Sequence, residues 1–140
     1  MSAWTKREID KIVAADELEI ASLRRDSTLR EPVTVWVVRH GDDLYVRSVR
    51  GPTGAWFLGT KARHEGRIQA GGVEKDVTFV KADDVLKDEI DHAYRTKYRR
   101  YPANIVNSVL TPRARSATLR LVPRESARAT SRGRSPAGKP

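Results

Sequence analysis

Five consecutive residues, Arg47-Ser48-Val49-Arg50-Gly51, place two guanidinium groups, a hydroxyl and a glycine at the end of one β-type run. Arg47 and Arg50 can each offer a planar fork of donors to a phosphate or carboxylate. Ser48 adds a hydroxyl, and Gly51 lets a ligand approach the backbone closely. The competing reading makes Arg47 a solvated side chain on the open face of a sheet, the usual fate of a charged residue. Trp56 follows Arg50 by six residues. An aromatic ring beside an anion site suits a ligand with a planar body and a phosphorylated tail. The other aromatics, Trp36, Tyr94, Tyr98 and Tyr101, fit core and rim positions.

Other catalytic patterns come close and fail. Gly54 to Lys61 runs G-x4-G-T-K, where a phosphate-binding P-loop needs Lys before Ser or Thr. Ser48 lacks the flanking glycines of a nucleophile elbow. Asp88, Asp91 and His92 fall on one helical face and could ligate a metal, but two carboxylates and one imidazole without a second ligand motif fit a solvated face better. His40 and His64 sit in loop-like stretches with no evident partner. No site for a metal is expected, and no triad or carboxylate pair stands out. The absence of cysteine excludes disulfides and thiolate metal centres.

The elements that would position the pentapeptide follow from periodicity. Val33 to Val38 is β-branched and aromatic throughout, a strand. His40-Gly41-Asp42-Asp43 makes a turn, and Leu44 to Val49 returns. Side chains alternate along that return strand, so Tyr45, Arg47 and Val49 share the face opposite Leu44 and Val46. One face must therefore bury an arginine or present it to something. Before the hairpin, Thr5 and Glu8 match a capping box opening a helix from about Lys6 to Ala15, and Leu18 to Leu23 alternates as a strand. Arg24 to Pro32 is a loop.

After the hairpin, Gly51-Pro52-Thr53-Gly54 is a break, and Ala55 to Leu58 an apolar segment of about one helical turn. Lys61 to Gly66 is charged and exposed. Arg67 to Ala70 and Val73 to Val80 are strands around Gly71-Gly72. A second helix starts at Asp83-Asp84 and carries an apolar stripe through Val85, Leu86, Ile90, Ala93 and Tyr94 before Pro102 stops it. A short helix over Asn104–Leu110 and a last strand over Ser116–Val122 complete the body. Five or six strands in succession, with one main helix at each end, predict an α+β domain whose antiparallel sheet closes into a barrel.

Length fits one domain over residues 1–123, followed by a basic tail over 124–140. Five basic residues and one acidic residue lie in that tail, so much of the net charge of +9 comes from it. Its composition is that of a disordered segment. The opening MSAWTKREID has no apolar run behind its positive charges, and no window nears the roughly 20 apolar residues of a membrane span. A cytoplasmic protein is the expectation.

The stretch Trp36-Val37-Val38, Leu44 to Gly51, Gly54-Ala55-Trp56 resembles an uncharacterised bacterial family, and the similarity continues through Gly71-Gly72, Asp76 to Phe79, Ala93 to Tyr98 and Ala117 to Leu121. That family is grouped with the FMN-binding split barrels and is similar to the deazaflavin-dependent nitroreductases. The resemblance implies a six-stranded antiparallel split β-barrel with flanking helices and a cofactor, FMN or a deazaflavin. It puts Arg47, Ser48, Arg50 and Gly51 near the cofactor phosphate, with Trp56 after them. It implies an oxidoreductase acting on a small organic acceptor, and a homodimer. It assigns no role to Tyr94, Lys97 and Tyr98. The chain departs from the pattern at Arg24–Pro32, which stands where the relatives carry T-x-G-R-x-S-G and has no glycine. A barrel of the same fold serving as a cofactor-free small-ligand or interaction module is the alternative. A nonspecific nucleic-acid binder, suggested by the basic balance, is a third class and fits less well.

Overall fold

A computed structural model describes residues 3–124; the tail from residue 125 onward lies outside it. The elements are helices α1 (Lys6–Ala14), α2 (Ala55–Arg63), α3 (Lys87–Lys97), α4 (Ala103–Asn107) and α5 (Pro112–Ser116), and strands β1 (Leu18–Ser22), β2 (Val33–Val35), β3 (Val37–His40), β4 (Asp43–Arg47), β5 (Glu65–Ala70), β6 (Val73–Lys81) and β7 (Thr118–Pro123). No helix among the described residues is long and apolar enough to cross a membrane.

The α+β class and the antiparallel barrel hold. The strands form a single sheet in the order β2-β1-β5-β6-β7-β4-β3, with every pairing antiparallel. Its two outermost strands, β2 and β3, are consecutive in the chain and separated only by Trp36. A sheet whose two edges are tied by a single residue must curl into a nearly closed barrel. The predicted strand Val33–Val38 is therefore one run that bends and changes partner, β2 pairing with β1 and β3 with β4. This bend raises the predicted six strands to seven segments.

Other boundaries follow the local chemistry. Thr5 accepts from Glu8 N–H while the Glu8 carboxylate accepts from Thr5 N–H, and Trp4 is buried behind this cap. The Ala55 segment is longer than one turn: α2 runs nine residues, through stretches predicted to be loop. The fifth helix, over Pro112–Ser116, was also unforeseen; Thr111 caps it and Pro112 opens it.

Ile12, Leu18, Val37, Leu44, Val46, Ile68, Val77 and Leu121 fill the barrel with almost no exposure. A second cluster, with Val38, Tyr45, Ile90, Tyr94, Tyr98, Val106 and Val109, lies where α3 and the segment after it cover β3 and β4. Strand β4 is thus covered on both sides. Its alternation separates two buried environments rather than core from water.

The bend at Trp36 creates a seam. Beyond the Leu18–Val35 pair the first strand has no partner, and Val37 lies on an outer edge, so several backbone groups lose their ladder bonds. Helix α3 supplies them from one face, at steps of three and four residues. Tyr94 Oη donates to Trp36 O (3.2 Å), and Lys97 Nζ donates to Ala15 O and Val37 O (both 2.8 Å). Tyr98 Oη accepts from Val37 N–H (3.2 Å) and donates to Asp16 O (2.6 Å). The Tyr98 ring stacks on Trp36, with centroids 3.8 Å apart and planes within 3°. Replacing Tyr98 by Phe keeps the stack and removes both hydrogen bonds. It should cost about 1–3 kcal/mol in urea unfolding, and an unchanged midpoint would rule out this role for the hydroxyl.

Candidate functional site

The five residues expected at the site go separate ways. Arg47 turns inward and is 1% exposed. Its Nε donates to Thr118 Oγ1 (2.9 Å), Nη1 to the Asp91 carboxylate and to Val109 O (2.9 Å), and Nη2 to Lys87 O (3.1 Å). Four of its five N–H groups are thereby used inside the protein, and its guanidinium also lies 5.4 Å from the Tyr94 ring centroid. It fastens α3 and the following segment to β4 and β7. Asp91 reaches this pair from the helical face that also suggested a metal site, while Asp88 is taken by Arg115.

Ser48, Arg50, Gly51 and Gly54 stay together. Strand β4 ends at Arg47, and the chain turns through a 3-10 turn, Gly51–Thr53, directly into α2. Gly51 adopts φ +76° and is crossed by the Arg113 side chain from α5, so a Cβ there would be both strained and obstructed. The Ser48 hydroxyl is buried without a hydrogen-bond partner among the described residues and lies against Gly54, where an added Cβ would come within 2.6 Å of it. Gly54 is the N-cap of α2 and has no side chain to cap it. The first-turn N–H groups of this helix are left to whatever arrives, and the dipole there favours negative charge. Arg50 is exposed beside this terminus and makes no ion pair with a described residue. An orphaned buried hydroxyl, an uncapped helix start and a free guanidinium fit a phosphate or another small oxyanion. Trp56, in the first turn of α2, is half-buried against the barrel core and edge-on to Phe57 (6.1 Å, 77°).

A cavity of about 680 Å³ opens on the other side of the same turn. Pro52 belongs to its wall, Phe57, Phe79 and Leu119 form its apolar floor, and Lys61, His64 and Lys81 stand at its rim. None of its lining residues is acidic. This grouping is hard to read from the order of residues, because its members come from α2, β6, α5 and β7. Only the helical spacing of Phe57, Thr60, Lys61 and His64 could have hinted at a shared face, and α2 was not foreseen.

Tyr94, Lys97 and Tyr98 are charged with the seam, and their titration follows. Burial brings the Lys97 amine down from 10.5 to about 8, with Asp16 pulling it up and Arg100 pushing it further down. Burial also raises the phenols of Tyr94 and Tyr98 well above 10.

Residues 8–121 match the sequence profile of a family described as "Uncharacterized protein conserved in bacteria (DUF2255)". No curated protein matches the chain. Among solved structures, the heme storage protein HutZ of Vibrio cholerae superposes with a TM-score of 0.58 at 12% identity, over 86% of this chain and 91% of the other. A FAD-binding protein of Mesorhizobium loti gives 0.54 at 18% identity, over 88% and 92%. A protein named F420 reductase gives 0.50 at 16%, over 84% and 93%. At these identities the likeness establishes the fold, a split barrel, and the named ligands belong to those proteins.

Two measurements check the electrostatic assignments. Arg47→Ala leaves Asp91 buried without its partner and should lower unfolding stability by about 3–5 kcal/mol; a variant as stable as the parent would return Arg47 to the list of free anion ligands. Lys97 binds a proton less readily folded than unfolded, so its penalty is present below pH 8 and is relieved as pH rises from 8 toward 10.5. The stability of the parent relative to Lys97→Met should therefore rise by about 1 kcal/mol between pH 7.5 and 9.5, allowing for the partial exposure of the amine. Above pH 10 both proteins lose stability, since the unfolded chain loses the protons of the buried phenols first, and this change cancels in the comparison. Parallel pH profiles for parent and variant would exclude the shift.

Proposed function

The chain belongs to the bacterial family DUF2255, and on that premise we propose that it is an oxidoreductase-like split-barrel protein that binds FMN or a deazaflavin and acts on a small organic acceptor. The observation that carries this is the anion cradle at the start of α2, with the Ser48 hydroxyl orphaned behind Gly54 and Arg50 free beside it. Fold neighbours described as heme-storing, FAD-binding and an F420 reductase support a cofactor-binding use of this architecture.

When bound, such a cofactor supplies hydride chemistry that no side chain can. The protein's own contribution is binding and orientation. Arg50 and the α2 N–H groups hold a phosphate and Ser48 donates its unused proton, while Gly51 and Gly54 make room for the Arg113 side chain and the Ser48 hydroxyl that frame the turn. Trp56 adds an aromatic surface one turn into the helix. Arg47 acts indirectly, fixing the end of β4 from which the cradle departs. A cytoplasmic homodimer completes this proposal.

One observation favours the second reading, a cofactor-free small-ligand or interaction module. The loop over residues 24–32, where the nitroreductase-like proteins carry a glycine-rich phosphate segment, is closed on itself: Arg24 bonds Thr28 Oγ1 (3.2 Å) and Leu29 O (2.9 Å), and Asp26 accepts from Thr28 N–H (3.1 Å). The whole grip then falls on the cradle.

Titrating the purified chain with FMN and with a deazaflavin, followed by visible absorbance and fluorescence, decides between the two. Binding should weaken by about 1–3 kcal/mol in Arg50→Ala with no loss of thermal stability. No spectral change with either compound, or equal affinity in the variant, would refute the cofactor reading.

A further inference from the structure

We infer that the cavity between α2, α5 and the β6–β7 face is a binding site for a flat organic anion of the aromatic carboxylate class. This inference does not depend on the flavin reading.

The size and the floor come first. About 680 Å³ is within the range of small-molecule sites and well above what a single ion needs. Phe57, Phe79 and Leu119 are 7%, 3% and 5% exposed, so their rings and methyls form a fixed apolar surface anchored in the barrel. A flat apolar body would find contact there that water does not provide.

The polar groups set the sign of the ligand. Two hydroxyls line the cavity, and both spend their protons inside the protein: Thr60 Oγ1 donates to Phe57 O and Ser116 Oγ to Arg113 O (both 2.7 Å). The donors left for a ligand are Lys61, Lys81 and His64. Lys61 is exposed, and its Nζ lies 5.6 Å from the Phe57 ring centroid, over the floor. Neither lysine makes an ion pair with a described carboxylate; the part-buried Glu65 is engaged by Arg63 and Arg124, and Asp76 by Arg67. Two unpaired ammonium groups over an apolar floor, with no lining carboxylate, are complementary to an apolar ring bearing one negative group.

Isothermal titration of the full chain, with no flavin added, separates these contributions. The probes are 2-naphthoate and 2-naphthamide, which share the rings and differ in charge. The naphthoate should bind once per chain and at least tenfold more tightly than the amide. Lys61→Met with Lys81→Met should erase that preference, whereas Arg95→Met with Arg99→Met, on exposed turns of the α3 region, should preserve it. Ser116→Trp, which fills the cavity from α5, should abolish binding of both probes while leaving the thermal midpoint in place. Equal affinities of the two probes, absence of binding, a preference that survives loss of both lysines, or one lost equally in the Arg95/Arg99 variant would overturn the assignment.

Discussion

A barrel closed by bending one strand has to find hydrogen-bond partners for the backbone at the bend. Here the whole arrangement depends on how that is done. Trp36 turns the chain from one edge of the sheet to the other, and the carbonyls of Ala15, Asp16, Trp36 and Val37, with the Val37 N–H, are taken up by Tyr94, Lys97 and Tyr98. Unpaired backbone groups at a buried edge are costly. The helix that supplies the partners is therefore part of the barrel, even though it lies outside the sheet. Its chemistry is unusual for that reason: an amine and two phenols, each made harder to ionise by burial, do the work of a missing strand.

The two arginines of the Arg47–Gly51 segment show how similar residues three apart can serve opposite ends. Arg47 completes a buried network with Asp91, two carbonyls and a threonine, and gives up its capacity to hold a ligand. Arg50, just beyond the strand, keeps its guanidinium in solvent beside an uncapped helix. The network that consumes the first arginine fixes the strand end from which the second is presented. Substituting Arg47 therefore acts through the buried network, whereas substituting Arg50 acts at the surface beside the start of α2.

Much of this was legible in advance. The capping box at Thr5, the hairpin around Gly41 and the succession of strands along the chain came from spacing alone, because each depends on residues close in sequence. The bend at Trp36 did not, since a β-branched run gives no sign of where it changes partner. Helix α2 was hidden by its glycines and by the charges at its end, which resemble a loop until the barrel wall beneath Phe57 and Thr60 is known. Alternation in β4 correctly put Arg47 opposite Leu44 and Val46. It could not say that α3 covers that other face, because the covering residues are more than forty positions away. The cavity over Phe57 and Phe79 was invisible for the same reason.

The order of the sheet has a consequence for the making of the protein. Strand β7, near the end of the described chain, lies between β6 and β4 and is their only link through the ladder. Until it is synthesised, the chain holds two separate sheets, β2-β1-β5-β6 and β4-β3, tied only through the bend at Trp36. Strands β6 and β4 must each wait, with an open edge, for β7. The barrel thus closes only when β7 joins the two halves, rather than growing strand by strand from β1, and β7 acts as the keystone.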